Sequence, residues 1–411
     1  MFLRLASSSL VDRKGSVFLT VLAISVSIFV LLGIEHIRSE ARESFSSTVS
    51  GTDLIVGART SNINLLLYSV FRIGNATNNI SWESYQEIAS NPDVAWTIPI
   101  ALGDSHRGYR VMGTSSDYFV HYSYGSSRNL TFRDGEAFED LFDVVLGSEV
   151  AQQLDYSLGD ELVLAHGMAS TSFSNHDENP FHVVGVLEPT GTPVDQTLHV
   201  SLEAIEAIHL GWQGGIQMPG FGAATGIANA SDLTPESITA FMLGLNSRMM
   251  TFGLQREINE YPGEPLMAIL PGVTLAEFWQ TLAVTESTMR LISSLVLVAA
   301  LLGLSALLLA SIRERQREIA ILRTLGASPG YLFLLIELEA TLITVVASAL
   351  ASILLYTTLL LSADYIVANF GLHIDANFLS KTNLILLFTV FVSSLLVCLI
   401  PAITAFRKAL Q

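Results

Sequence analysis

Four strongly apolar stretches of this chain carry no charged residue: Ser16–Ile34, Leu291–Ala310, Ala340–Leu361 and Asn383–Ile403. At 1.5 Å per residue in a helix, each reaches about 30 Å, the thickness of a bilayer's hydrocarbon core. Hydrocarbon offers the backbone no hydrogen-bond partner, so these stretches must be helices that satisfy themselves. The spacing between them is uneven. Residues 35–290 separate the first from the second and are enough for a whole domain, whereas the remaining connections are short. The prediction is a membrane α-helical protein of four transmembrane helices with a large extracytoplasmic α+β domain inserted between helices 1 and 2. Composition agrees, because 50% hydrophobic and 14% charged residues are too apolar for a soluble globular chain and too polar for one wholly in the membrane.

Charge sets the orientation. The net charge is −17, yet the segments placed inside run the other way. Arg4, Arg13, Lys14, Arg313, Arg315, Arg317, Arg323, Arg407 and Lys408 there face only Asp12, Glu314 and Glu318. By the positive-inside rule both termini and the 311–330 loop are cytoplasmic. A basic start followed by an apolar run also fits a signal peptide, but the run is long and no small-residue cleavage site follows, so it reads as an uncleaved first span. The acidic remainder argues against a nucleic-acid surface, which needs clustered cations to neutralise phosphates. The one cysteine, Cys398, lies in an apolar run, so no intrachain disulfide supports the outer domain.

The predicted layout is a cytoplasmic N-terminus (1–15), a first span (16–34), a helical stalk (35–48) of alternating charge and an outer domain (49–288). A second span (289–310), a cytoplasmic coupling helix (311–330), a third span (331–361), a polar outer hairpin (362–381), a fourth span (382–403) and a cytoplasmic C-terminus (404–411) complete it. In the outer domain, β-branched runs at Asp53–Val56, Asp93–Ile100, Tyr109–Met112, Asp143–Leu146, Glu161–Leu164 and His182–Leu187 predict strands. Helical spacing at Ser81–Ser90, Ser148–Leu154, Ser201–Ile208, Ser247–Glu260 and Thr274–Thr288 predicts helices, several opened by a Ser or Thr cap. Strands and helices come in runs rather than strict alternation, which suggests two lobes.

Within Ser311–Gly330, Ile319, Leu322 and Leu325 share one helical stripe, and Gly326 with Ser328-Pro329-Gly330 reads as the helix end. Charge alone makes this a solvated connector. The string RERQREIAILRTLGAS, however, closely resembles the segment between the second and third spans of permeases in the MacB, FtsX and LolC/E superfamily of ATP-binding cassette transporters. GTDLIVG at 51–57, VMGTSSDYF at 111–119, VLGSEVAQQL with LGDEL at 145–162, and FHVVGVLEPTGT at 181–192 resemble the MacB-like periplasmic core domain. The PAxxA ending at Pro401–Ala405 is similar to the family's last span.

The resemblance implies that Arg313, Glu314, Arg315, Arg317, Glu318, Ile319, Leu322, Arg323, Leu325 and Gly326 form a coupling helix seated on a separate cytoplasmic ATPase. It implies an inner-membrane permease that pairs with a second copy or a paralogue, and an extracytoplasmic partner such as an adaptor, lipoprotein or substrate-binding protein. ATP and Mg would be bound by the ATPase, with no cofactor held by this chain. Mechanotransmission is the implied mechanism, serving export of lipoprotein, peptide or drug, or activation of a partner. The residues agree on the ATPase: a P-loop needs Gly-Lys, and none of the three lysines, Lys14, Lys381 and Lys408, follows a glycine. No hydrolase motif is present either.

Two acids, Glu337 and Glu339, open the third span. Intramembrane acids point to function, but these lie within two or three turns of the cytoplasmic end, where pairing with Arg323 or contact with the ATPase is the stronger reading. All nine histidines fall in segments placed outside. His166 and His176 with Asp177 are weak candidates for a metal, at loose spacing, and surface histidines are the plainer reading. The Gly-rich stretch 211–233 reads as an irregular connection or an apolar contact surface. An alternative class is a membrane-anchored sensor or regulator, of the metal-responsive kind if the outer histidines bind an ion, which would bind no ATPase.

Overall fold

The computed structural model describes residues 14–125, 127–166, 179–209, 212–213, 216–217, 233–314, 324, 328–370 and 377–410. In chain order the helices are α1 (Lys14–Ser47), α2 (Asn62–Ser69), α3 (Trp82–Ala89), α4 (Asp117–His121), α5 (Ser148–Leu154), α6 (Leu202–His209), α7 (Thr251–Asn259), α8 (Pro271–Glu314), α9 (Pro329–Phe370) and α10 (Lys381–Leu410). The chain divides into two compact units, one of Met1–Ala41, Leu282–Tyr365 and Ile374–Gln411 and the other of Arg42–Thr281 and Ile366–His373.

The first unit is helical. Four helices are long and apolar enough to cross a membrane, over Lys14–Arg42, Pro271–Ala310, Pro329–Ser362 and Lys381–Arg407. Their shared core joins Ile24, Ile28 and Leu32 of α1 to Leu304 and Leu308 of α8, Ala340, Ile343, Ala347 and Ala351 of α9, and Cys398 and Ala402 of α10. Small residues let backbones approach: the Ser25 hydroxyl donates to the Ala347 carbonyl at 3.1 Å, and Gly33 lies beneath Leu355.

Two expectations are corrected here. Ser328-Pro329-Gly330 opens a helix instead of ending one: the Ser328 hydroxyl accepts from Tyr331 N–H at 3.3 Å and Pro329 is the first helical residue. Proline needs no N–H in the first turn, so the same dipeptide that reads as a breaker also reads as a start. The hairpin expected from 362 is also shortened, because α9 continues to Phe370; nothing in Ser362–Phe370 stops a helix.

The second unit is built on one sheet. Its principal strands are β1 (Leu54–Ala58), β2 (Val94–His106), β3 (Tyr109–Thr114), β4 (Phe132–Gly135), β5 (Asp143–Leu146), β6 (Phe181–Leu187), β7 (Thr197–Ser201), β8 (Ala240–Leu245) and β9 (Leu266–Ile269). They lie in the order β9-β1-β8-β2-β3-β7-β5-β6-β4. Only the β3–β7 and β5–β6 neighbours on this path are parallel. The two expected lobes are therefore the two ends of one sheet sharing β2, whose first half pairs with β8 and whose second half pairs with β3 across a bulge between Leu102 and Ser105. The expected strand Glu161–Leu164 is split into Glu161–Leu162 and Ala165–His166.

β1 is buried at every position because both faces are covered. Leu54 and Val56 pack with Leu254 and Ile258 of α7, while Ile55 packs with Leu65 and Leu66 of α2. Gly57 permits that closeness, since a Cβ there would lie 2.7 Å from both Leu65 Cδ1 and the Tyr68 hydroxyl.

The core beneath β7 is partly polar. His199 is fully buried, its ring stacked on Tyr118 with centroids 5.1 Å apart and its Nδ1 3.3 Å from the Val145 carbonyl. Burial, with the Arg72 guanidinium nearby, pushes its imidazole down from 6.5 to about 3. An unfolded His199 takes up a proton below pH 6.5 and the folded one does not until about pH 3. Its contribution is thus complete above pH 6.5 and is lost as pH falls toward 3, by about 1.4 kcal/mol per unit. In thermal unfolding of this unit's transition, the difference between wild type and His199→Phe should show that slope. Parallel pH profiles for the two proteins would refute a neutral buried His199.

Candidate functional site

The structural features with functional character lie where helices leave the apolar core. Just past its uncharged run, α1 presents Glu35 and Arg38 one turn apart. α8 presents Glu286 and Arg290 one turn apart before its own run. Glu35 Oε1 accepts from Arg38 Nη2 at 2.5 Å and Oε2 from Arg290 Nη2 at 3.0 Å, while Arg38 Nη1 donates to Glu286 Oε2 at 3.4 Å. The result is an alternating row, Glu286–Arg38–Glu35–Arg290, with no net charge. Glu35 is its centre and is the most buried member, its side chain 10% exposed against 52% for Arg290. Sequence reading placed Glu35 and Arg38 in a charged stalk, Glu286 in the last helix of the outer domain and Arg290 in the second span, with no pairing among them. Their pairing is a tertiary fact, although opposite charges at i,i+3 and i,i+4 on two helices flanking the core were the available signal.

Within the second unit the end of α1 is fixed to the domain core. Phe45 stacks on Phe71 with centroids 4.4 Å apart and meets Phe278 and Trp279 at 5.9 and 5.7 Å. The buried Tyr122 hydroxyl donates to the Thr48 carbonyl at 2.5 Å. Ser50 N–H donates to the Ser123 carbonyl at 3.0 Å, and the Ser123 hydroxyl returns to the Ser50 carbonyl at 2.6 Å. Gly51 then turns the chain with φ +79°, a region unfavourable to other residues, and delivers it into β1.

Behind Tyr122, Arg72 bonds the Ser69 carbonyl and reaches Met112 Sδ at 2.6 Å. Burial pushes the Tyr122 and Tyr118 hydroxyls upward, so both stay protonated.

The intramembrane acids of α9 differ. Glu339 is 3% exposed. Glu337 is half-buried, and among the described residues its Oε1 has no hydrogen-bond partner. Arg323, their expected ion partner, lies outside the described residues. So do Arg315, Arg317, Glu318, Ile319, Leu322, Leu325 and Gly326, while Arg313 and Glu314 are the last residues of α8. His176 and Asp177 also lie outside, and His166 ends a two-residue strand. Of the 211–233 stretch, Trp212–Gln213 and Ile216–Gln217 form a short antiparallel pair and Leu233 is buried, the rest lying outside the described residues. Among the described residues, no three His, Cys, Asp or Glu side chains are grouped to hold a metal.

Comparison with known families gives two matches. Residues 17–225 match the MacB-like periplasmic core domain, and residues 290–410 match the FtsX-like permease C-terminal region. Among solved structures, the chain is similar to the extracellular domain of the noncanonic ABC-type transporter YknZ from Gram-positive bacteria. That likeness has 13% identity and a TM-score of 0.31, covering 53% of this chain and 99% of the other. It is also similar to the periplasmic region of MacB from Actinobacillus actinomycetemcomitans, with 11% identity and a TM-score of 0.34, covering 57% and 94%. No curated protein matches.

The charged row can be weighed by a double-mutant cycle. For Glu35→Ala and Arg290→Ala in the detergent-purified chain, unfolding of the helical unit should report a favourable interaction of about 1 kcal/mol, at the upper end for exposed pairs because Glu35 is buried. Additive effects of the two changes would make the contact energetically idle.

Proposed function

Because the chain belongs to the MacB/FtsX-like family of ABC transporter permeases, we propose that it passes ATP-driven motion from a cytoplasmic ATPase to its α/β domain. The observation that carries this reading is α1. One uninterrupted helix holds the first apolar run, the Glu35–Arg38 half of the ionic row and the phenylalanine that enters the domain core. A helix whose two ends are both fixed by side-chain contacts can transmit displacement; a flexible linker would absorb it.

In this reading 311–330 is the cytoplasmic coupling helix, both termini are cytoplasmic and 49–288 lies outside the inner membrane. Two ATPase subunits close on ATP-Mg and push on Arg313–Leu325. The displaced α8 draws α1 with it through the ionic row. The permease pairs with itself or a paralogue, since a two-fold ATPase dimer offers two equivalent grooves. The chain itself performs no hydrolysis. Work is delivered outside the membrane, to a lipoprotein, a peptide, a drug-binding adaptor or an enzyme partner, and Glu337 and Glu339 serve coupling at the cytoplasmic end rather than proton transfer.

Purification from the native membrane in mild detergent should recover a P-loop ATPase at about one copy per permease. Arg317→Glu and Leu322→Asp should insert normally but lose stimulated ATPase activity. Ala41→Pro, which breaks α1 at a cost of about 3 kcal/mol, should retain the ATPase and abolish the outer function. Stimulated activity surviving both coupling changes would overturn the contact, and absence of any ATPase would favour a sensor.

A further inference from the structure

Between α2 and the two-residue strand Ile80–Ser81 the chain reads VFRIGNATNN over 70–79 and forms neither helix nor strand. Arg72 at φ +59° and Gly74 at φ +79° take the left-handed conformation and bend it. Asn75, Thr77, Asn78 and Asn79 are all exposed. Arg110 of β3 donates from Nη2 to the Gly74 carbonyl at 2.7 Å and to Asn75 Oδ1 at 3.2 Å. A guanidinium only donates, so the amide oxygen faces it and the amide nitrogen of Asn75, Nδ2, is left without a partner among the described residues.

Asn75-Ala76-Thr77 is an Asn-x-Ser/Thr triplet, whose asparagine accepts sugar in extracytoplasmic surface loops. Such triplets arise often by chance, and the fold separates them. At Asn79-Ile80-Ser81, Ile80 is fully buried and paired with Ile238. Its Ser81 hydroxyl donates to Glu264 Oε1 at 2.8 Å and accepts from Ser84 N–H at 3.2 Å as the cap of α3. At Asn129-Leu130-Thr131, Asn129 is in register with Ser123, Leu130 is buried and the Thr131 hydroxyl donates to Glu188 Oε2 at 3.0 Å. Asn229-Ala230-Ser231 lies outside the described residues. Among the described triplets, Asn75-Ala76-Thr77 alone joins an unpaired amide nitrogen to an exposed, unpaired hydroxyl on irregular backbone.

We propose that Asn75 is an N-glycosylation site of the α/β unit. Its Nδ2 attacks C1 of a sugar carried on a polyprenyl phosphate or diphosphate, under a membrane-bound oligosaccharyltransferase. The N–C1 bond forms, the C1–O bond to phosphate breaks, the amide gives up one proton and the lipid phosphate leaves. Space for a bulky group is present beside the acceptor, since no atom lies within 4 Å of where a Cβ on Gly74 would stand. The single bond from Arg110 to Oδ1 is between exposed groups and exchanges readily for water. A glycan there would also shelter Ile73, an exposed apolar side chain two residues away. The inference rests on the reading that the α/β unit lies outside the membrane.

The test is peptide mass spectrometry of the full chain purified from its native membrane. Expected is a peptide containing Asn75 that carries added sugar mass and releases sugar fragment ions. Asn75→Gln and Thr77→Ala should each abolish the modification, and Thr77→Ser, which keeps the hydroxyl, should retain it. Sidedness is read separately: Asn78→Cys in a Cys398→Ser background should react with a membrane-impermeant maleimide in spheroplasts. Maleimide labelling with Asn75 unmodified overturns the glycan assignment and leaves the topology standing, whereas absence of labelling overturns both. Sugar that stays on this peptide in Asn75→Gln or Thr77→Ala also overturns the assignment.

Discussion

Hydrocarbon cannot hydrogen-bond, and the architecture of this chain follows from that. Within the apolar runs every backbone group must be paired along a helix and every side-chain polar group must be paired locally. Most hydroxyls follow this rule, the buried Thr344 hydroxyl of α9 being an exception among the described residues. Ser25 and Ser27 of α1 donate to carbonyls one turn back, at 2.7 and 2.8 Å. Charges are driven to the ends of the spans by the same cost. There they cannot be diluted by water on all sides, so they organise against one another. The Glu286–Arg38–Glu35–Arg290 row is the outcome at one end of α1 and α8, and the arginine-rich 313–323 stretch is the sequence-level sign of the same sorting at the other.

The α/β unit obeys the converse rule, in which water is available but the sheet is covered on both faces. With β1 and β8 wholly or almost wholly buried, the polar groups that remain inside must be fixed by hydrogen bonds and aromatic packing. Arg72, Tyr118, Tyr122 and His199 form such a group under the sheet. The tyrosine hydroxyls stay protonated and His199 stays neutral, so the charges of this core are the Arg72 guanidinium and the buried Asp195 carboxylate that acts on both tyrosines. This polar core is continuous with the contact that receives α1, through the Tyr122 hydroxyl and the Thr48 carbonyl.

The spans, β2, β3, β5, β6, α5 and the membrane class were legible because each depends on local pattern: uncharged length, β-branched runs, a Gly or Ser start. What escaped depends on partners. β8, reading AFMLGL, has no β-branched residue and no alternation, because both its faces are buried. The helix α2 was missed for a related reason, since Asn62–Ser69 has too few polar residues to mark an outer face. Ser328-Pro329-Gly330 carries the same letters whether it closes one helix or opens the next, and only Tyr331 N–H on Ser328 decides. Of the site, the coupling string was visible through resemblance, whereas no local rule could assign Arg290 to Glu35 across the whole length of the inserted domain.

Why ions join α1 to α8 at this point, when apolar contacts hold the helices elsewhere, follows from geometry. An apolar seam such as Ile28 and Leu32 on Leu304 and Leu308 gains area almost equally in several registers, so it resists separation more than sliding. The ionic row discriminates among registers. Glu286 and Arg290 are one turn apart, so moving α8 along α1 by about 6 Å would bring Glu286 toward the place of Arg290 against Glu35 and replace attraction with repulsion. Buried or half-buried ion pairs often add little net stability, because desolvation offsets their attraction. They do penalise wrong pairings strongly. The row therefore acts less as glue than as an index mark that fixes the register of α8 against α1.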